Sequence, residues 1–365
     1  MTPRWDPCVV QDGADFKQFI TSHIDQPRRK ILLIGGAGFD PRATKGAHEL
    51  ATIRRCQVDA VFFREERVMD QPILRPRADN TQIELSKLLP NAIFPKIEII
   101  PDGVTAVGGR RAVEEIKQRD FSQYTDVAVD ISALSCGVYF SLIAFLINIC
   151  RQKHGLNLHL FVVEQPQIDQ KISGIPSDQA SMLHGFRGTK SLDSTEEQAL
   201  LWIPILSLGN SDVLTKIYQY IRSKSRSTPI DVCPILPFPC RNPRLPDLLY
   251  TEYFENLRTW GVDDRDFLYA AESDPLDSYR TIHNLVSERH KLFAALGGSQ
   301  VVLSPLGNKM LSVGAMLAAI DLDLPVVLVE SIGYDEQIDA GTSSYDLELR
   351  HVWLCGEAYP SISIK

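Results

Sequence analysis

The sequence contains no C-x-x-C pair, no G-K-[ST] behind a glycine turn, no excess of positive charge and no apolar run long enough to span a bilayer. Each absence removes a class of protein. The seven cysteines, Cys8, Cys56, Cys136, Cys150, Cys233, Cys240 and Cys355, are odd in number and scattered. They argue against a complete disulfide framework and suit a reducing, cytoplasmic compartment. Cys136 and Cys150 lie in apolar surroundings and read as small packing groups. Without G-K-[ST] there is no P-loop. Lys and Arg number 38 against 46 Asp and Glu, a net charge of −8. Direct binding of duplex nucleic acid is therefore not expected, although net charge says nothing about one cleft. The longest apolar stretch, Val138 to Cys150, falls short of the roughly 20 residues a membrane span needs. It reads as a buried helix, and no membrane partner is expected. The first residues carry Asp6, Asp12 and Asp15 and no long apolar run, unlike a signal peptide. His283 and His290 share a helix face without a third ligand, so no metal site is expected.

The chain of 365 residues is long enough for two cores. Short β-rich runs alternate with turns and helical patterns, which predicts an α/β fold of two Rossmann-like halves with mainly parallel sheets. The strands expected in the first half are Ile31–Ile34, Val58–Phe63, Ile97–Ile100, Val127–Ile131 and Leu158–Val163. Those in the second are Leu201–Leu206, Ile230–Leu236, Phe267–Ala270, Val301–Ser304, Val326–Glu330 and Val352–Leu354. Several are continuous apolar runs, as strands covered on both faces require. The expected division is an N-terminal extension over 1–28, a first half over 29–165, a linker or mobile loop over 166–199 and a second half over 200–365. The linker is rich in Gln, Ser, Gly and Asp. Asp126–Gly137 and Gln300–Met310 each run strand, small polar turn, apolar helix, strand, which suggests an internal duplication.

Five turns are candidates for ligand contact. Gly35-Gly-Ala-Gly-Phe-Asp-Pro-Arg42 follows a strand, and its glycines let backbone amides approach an anion. It is an incomplete dinucleotide fingerprint: Gly36 and Gly38 match, and Pro41 takes the third glycine's place. Asp40 and Arg42 are further candidates, Arg42 as a fork for a phosphate. Ser304-Pro-Leu-Gly-Asn-Lys-Met310 offers Ser304, Gly307, Asn308 and Lys309. Asn308 caps the helix or meets a base or ribose. A lysine in the first turn opposes the helix dipole, a conflict that an anionic ligand relieves. Asp130-Ile-Ser-Ala-Leu-Ser-Cys-Gly137 offers Ser132 and Ser135 to ligand hydroxyls and Asp130 to a ribose; capping of the apolar helix explains Ser135 equally well. Ser207–Asp212 places Gly209 and Asn210 after a strand. Pro237–Pro246 holds Arg241 and Arg244 on a proline-stiffened loop, suited to phosphates or to surface ion pairs. Glu65 and Glu66 end a strand, where they either meet a ribose or are simply solvated.

The C-terminal stretch, Asp274-Pro to Gly297 followed by Val301-Val-Leu-Ser-Pro-Leu-Gly-Asn-Lys-Met310 and Leu311 to Ile320, resembles the CARF and SAVED group of Rossmann-like sensors. The Gly307-Asn308-Lys309 turn is similar to the strand–turn–helix element of those families, and Gly35–Arg42 would match their first ligand loop. The resemblance implies binding of a cyclic oligonucleotide second messenger within a prokaryotic antiviral defence system. No nuclease, HEPN or TIR effector is recognisable, so the resemblance implies output through an effector protein or a homodimer. It implies a nucleotide ligand and no certain cofactor. A rival reading is a Rossmann-type enzyme acting on a nucleotide, by phosphodiester hydrolysis or transfer or as a short-chain dehydrogenase. For the last, Gly35–Phe39 resembles the nicotinamide-binding opening, Tyr220-Ile-Arg-Ser-Lys224 fits Y-x-x-x-K, and Ser207 lies upstream. Asp40-Pro41 departs from that pattern.

Overall fold

The structure is a computed structural model and describes residues 3–69, 71–153, 155–169, 171–188, 192, 198–225, 229–336 and 347–359. In chain order its elements begin with β1 (Val9–Asp12), α1 (Gly13–Phe19), β2 (Lys30–Gly36), α2 (Lys45–Ala51), β3 (Gln57–Glu66), α3 (Leu74–Leu88) and β4 (Lys96–Glu98). There follow α4 (Gly108–Lys117), β5 (Asp126–Asp130), α5 (Cys136–Gln152), β6 (Asn157–Glu164), α6 (Pro166–Asp169) and β7 (Ile172–Met182). Next come β8 (Ala199–Ile205), α7 (Ser211–Lys224), β9 (Ile230–Val232), β10 (Ile235–Pro237), α8 (Leu245–Thr259) and β11 (Leu268–Ala270). The last are α9 (Pro275–Phe293), β12 (Ser299–Pro305), α10 (Lys309–Leu322), β13 (Val327–Glu336) and β14 (Glu348–Cys355).

The chain forms two compact units, both discontinuous in sequence. One comprises Cys8–Ile175 with Ser331–Lys365, and is called the N-terminal unit below. The other, the central unit, comprises Met1–Pro7 with Pro176–Glu330. The chain passes from one to the other within β7 and returns within β13, and these two strands pair.

In the N-terminal unit the sheet order is β1-β14-β6-β5-β2-β3-β4. Strands β2 to β6 are parallel, and β14 and β1 extend the sheet antiparallel beyond β6. The run Ile31–Ile34 is buried throughout because helices cover both faces, and each such side chain contributes about 1.5–3 kcal/mol on burial. The apolar stretch that the sequence marks as a buried helix is α5, with Val138, Phe140, Leu142 and Ile143 in the core.

In the central unit the order is β11-β10-β8-β12, all parallel, with β9 on the first half of β8. β9 and β10 are one expected strand interrupted at Cys233-Pro234, where proline supplies no amide to the ladder. Val326 bridges to Leu303 beside β12. Both units thus repeat one arrangement. The first strand is central, the second and third lie on one side, and the fourth lies on the other. The strand order reverses between β2 and β5 in one unit and between β8 and β12 in the other. The outer carboxyl ends of such strand pairs are where open α/β sheets take ligands.

Three expectations change. Residues 1–28 are not a simple extension: Val9–Asp12 pairs with β14, and Trp5 is wholly buried in the central unit against Tyr279. The segment 166–199 is not a featureless linker, since it holds α6 and β7; its residues 170, 189–191 and 193–197 lie outside the described residues. The second half does not run to the end of the chain, because β14 returns to pair with β6. All seven cysteines are thiols outside any disulfide. Among the described residues no helix is long and apolar enough to cross a membrane.

Candidate functional site

At the carboxyl edge of the N-terminal sheet, Gly36 lies directly under the loop after β5. A Cβ there would stand 2.8 Å from the main-chain oxygen of Ala133, so the close approach requires glycine. Gly38, two residues on, has open space where a Cβ would be. The polar side chains around this turn are largely engaged with one another. Asp40 accepts the Arg42 N–H at 2.9 Å and takes the guanidinium on both carboxylate oxygens. Asp169 closes the other side of the fork at 2.6 Å. Burial works against the Arg42 charge, yet Asp40 and Asp169 outweigh it and hold the group fully protonated. The fork that the sequence offers to a phosphate is therefore spent inside the unit.

Ser132 is also internal. Its hydroxyl donates to Asp130 and accepts the Val163 N–H at 2.9 Å, tying β5 to β6. The other Asp130 oxygen lies against α2, where a Cβ on Gly46 would come within 2.3 Å of it. Ser135 precedes α5, and its N–H donates to Glu65 at 3.0 Å while its buried hydroxyl has no hydrogen-bond partner. Glu65 also binds Arg67 at 2.7 Å, and Glu66 pairs with Lys96, so neither glutamate is simply solvated.

The edge of the central sheet is built differently. The Ser304 hydroxyl accepts the Trp202 indole N–H at 3.0 Å and is wholly buried, which makes it a core residue under the site. Gly307 rests on Ile205, whose Cγ2 would be 2.6 Å from an added Cβ. Asn308 is the cap of α10: its side-chain oxygen accepts the Leu311 N–H at 2.9 Å. Its side-chain amide donates at 3.0 Å to the main-chain oxygen of Glu272, in the loop after β11. Lys309 opens α10 and is half-buried.

On the other side of the switch point, the Ser207 hydroxyl donates to the Leu306 oxygen at 2.5 Å, so the loops after β8 and β12 are fastened together. The Asn210 amide donates to Ser207 at 2.8 Å, and Gly209, at φ +79, donates its N–H to Glu252 at 2.8 Å. The loop after β10 carries Arg241 and Arg244, both exposed. The Arg241 N–H donates to the Glu272 carboxylate at 2.8 Å, and the Glu272 N–H donates to the Pro239 oxygen at 2.9 Å. Arg244 makes no ion pair among the described residues.

Glu272 organises this edge, and the sequence reading does not name it. It joins three loops through its N–H, its main-chain oxygen and its carboxylate, two of which are backbone groups that carry no sequence signal. The structure brings together Gly307, Asn308, Arg241 and the loop of Arg244 through this residue. It brings Gly36, Gly38, Asp40, Arg42, Ser132 and Ser135 together at the edge of the other unit.

The features behind the dehydrogenase and metal readings do not converge. Tyr220 and Lys224 lie in the last turns of α7, which starts at the carboxyl edge and runs back towards the amino edge of the sheet. The Lys224 ammonium sits 5.9 Å from the Tyr220 ring centroid, and the Gly35–Gly38 turn belongs to the other unit. His283 is buried and His290 exposed, and no cluster of three or more His, Cys, Asp or Glu suited to a metal occurs among the described residues.

No family model matches this chain, and no curated protein matches it. Solved structures give faint overlaps. A universal stress protein from Archaeoglobus fulgidus DSM 4304 aligns at 10% identity and a TM-score of 0.23, over 84% of this chain and 97% of its own. A functionally unknown protein from Pseudomonas aeruginosa PAO1 aligns at 11% identity and a TM-score of 0.23, over 85% of this chain and 95% of its own. Likenesses this low assign nothing to individual residues.

Proposed function

We propose that the protein binds an anionic, nucleotide-type ligand at the carboxyl edge of the central sheet. Lys309, Arg241 and Arg244 supply the cations. The observation that carries this reading is the Asn308–Glu272–Arg241 linkage. It fixes the start of α10 and the arginine loop to one frame, so cations from the loops after β10 and β12 flank the switch point. A backbone held in place lowers the ordering cost of binding, which then falls on the side chains. At the other edge, Arg42 and Arg67 are held by Asp40, Asp169 and Glu65.

The finer form of the proposal follows the resemblance of Gly307-Asn308-Lys309 to the CARF and SAVED turn. The ligand is a cyclic oligonucleotide second messenger, the protein is the sensor of a prokaryotic antiviral system, and the output passes to an effector partner. Calorimetric titration with a panel of cyclic di-, tri- and tetranucleotides tests it, with mass spectrometry of small molecules released from the purified protein. The expected result is saturable binding of an unaltered ligand, weakened in Lys309→Ala and Arg244→Ala. Absence of heat and of any thermal shift with every nucleotide tried would overturn the proposal. Chemical turnover of the ligand would favour the enzyme reading instead.

A further inference from the structure

The central edge carries exposed apolar side chains, Leu208 in the loop after β8 and, more fully, Phe238. Phe238 is the residue directly after β10, and it is 55% exposed. An isolated surface phenylalanine needs no explanation. This one is unlike a loop-tip residue in two respects. Its main chain is held: the Phe238 N–H donates to the Ala270 oxygen at 2.8 Å, and the next residue, Pro239, accepts the Glu272 N–H at 2.9 Å. Its ring is also propped. Tyr269, itself 52% exposed, meets it edge-on, with centroids 6.2 Å apart and planes at 77°. A T-shaped contact fixes the orientation of a ring while leaving much of its surface uncovered.

The surroundings name the occupant. Arg241 and Arg244 follow Phe238 on the same loop, and Glu272 holds that loop at the Arg241 N–H. β10 and β12 flank β8. Two inter-strand steps of about 4.8 Å place the end of β10 roughly 10 Å from the end of β12, where Lys309 stands. An exposed aromatic ring beside cations, at that separation from a further cation, matches the way proteins take single nucleotides. The base stacks on the ring and the phosphates meet the cations.

The geometry points to Phe238 as a base-stacking platform that selects nucleobase-bearing ligands over bare polyanions at this edge. The inference rests on the ligand reading above and adds which part of the ligand is read, and by which residue. Tyr269 is a positioning residue in this account, since it orients the ring rather than the base.

The test titrates two probes, cyclic di-AMP and inorganic tripolyphosphate, into wild type, Phe238→Ala, Phe238→Trp and Arg244→Ala. Phe238 is exposed, so its variants should fold, which circular dichroism checks. Phe238→Ala should weaken cyclic di-AMP binding about tenfold and leave tripolyphosphate unchanged. Phe238→Trp should retain cyclic di-AMP binding, and Arg244→Ala should weaken both probes. Equal loss of both probes in Phe238→Ala, or loss of neither, overturns the stacking role and leaves the anion site standing. Wild type that binds tripolyphosphate but not cyclic di-AMP also overturns it. Wild type that binds neither probe removes the ligand reading, and the platform with it.

Discussion

The side-chain amide of Asn308 donates to the main-chain oxygen of Glu272 at 3.0 Å, while its side-chain oxygen accepts the Leu311 N–H at 2.9 Å. Both ends of the amide are committed, one to the start of α10 and the other to the loop after β11. Asn308 therefore shapes the edge, and the base or ribose contact offered to it by the sequence is not the role its geometry supports. Asn308→Ala should cost about 2 kcal/mol, since it removes a helix cap and one further hydrogen bond. Asn308→Asp keeps the cap acceptor and should cost about 1 kcal/mol, but it sets a negative charge beside Lys309 and should weaken anion binding more than alanine does. Urea unfolding of the two variants, with titration of the best-binding nucleotide, checks both orders. Equal stability of Asn308→Ala and wild type would remove the linkage from the account.

Arg42 and Arg244 illustrate opposite uses of the same side chain. Arg42 is 4% exposed and bound on both sides by carboxylates, whereas Arg244 is exposed with no ion pair among the described residues. Removing Asp40 leaves a buried guanidinium short of its main partner. Asp40→Ala should therefore destabilise the N-terminal unit by about 3 kcal/mol and leave ligand affinity alone. Arg244→Gln should do the reverse, with stability within about 0.5 kcal/mol of wild type and weaker binding. Thermal unfolding and ligand titration on the same two proteins separate these effects. A loss of affinity in Asp40→Ala at full folding would move the anion site to the other edge.

How far the sequence is legible depends on which group carries the information. Runs such as Ile31–Ile34 and Val127–Val129 are buried on both faces, so their side chains announce the strand. β7 is not announced, because Ile172–Met182 has no regular alternation, only Ser177 and Ala180 are buried, and three of its residues are serines. β1 is hidden for a related reason: an edge strand of four residues with every second side chain exposed has no apolar run. The glycine turns are found at strand ends because glycine marks close approach whatever its partner. The partners are not legible. Asp169 stands 127 positions from Arg42 and reads as an ordinary loop acid. Glu272 acts largely through its main chain. Phe238 is visible as a residue in a proline loop, but its exposure is a property of the sheet edge alone.

Gly314 gives a test of how tightly α10 must lie on α9. A Cβ at this position would stand 1.9 Å from the Ser278 hydroxyl oxygen, 2.2 Å from the Pro275 oxygen and 2.8 Å from the Tyr279 nitrogen. Two of these atoms are backbone and cannot turn aside. Gly314→Ala gains about 1 kcal/mol of helix propensity and loses more to the forced separation of the helices. The net expectation is a destabilisation of about 1–2 kcal/mol. The separation should also reach the site, since Asn308 caps α10 and Glu272 lies three residues before α9. Chemical denaturation measures the first effect and ligand titration the second. A stabilised Gly314→Ala protein would show that the helices do not need this contact.

A chain of buried histidines should make the N-terminal unit acid-sensitive. His159 lies between Asp126, 3.1 Å from its Nε2, and His351, 3.0 Å from its Nδ1. The Gln11 side-chain oxygen lies 3.0 Å from Nδ1 of His351. Arg29 pairs with Asp126 and with Glu357, which approaches His23 at 3.6 Å. Phe19 stacks on His351 at 4.4 Å, and Trp353 lies 5.1 Å from His159. Burial works against ionisation of Asp126, but the hydrogen bond from His159 leads the groups that outweigh it and hold the carboxyl at about 2. His159 Nε2–H must then donate to Asp126, which leaves Nδ1 to accept from His351. A second proton on His159 would face that His351 N–H and has no acceptor. Burial pushes both histidines below their ordinary value of 6.5, with His159 and His23 adding repulsion at His351. Groups depressed in this way bind protons mainly after unfolding, so their stabilisation is complete above pH 6.5 and is lost as pH falls through the folded-state values. Each added proton contributes a slope of about 1.4 kcal/mol per pH unit. Amide hydrogen exchange along β14 and β6, followed from pH 7.5 to 5, should report the opening free energy falling. His351→Phe keeps the ring against Phe19 and removes one titrating site. It should lower stability at pH 7.5, where the His159 acceptor loses its donor, and should flatten the slope by about one proton. An unchanged slope in that variant would show that His351 takes up no proton when this sheet edge opens.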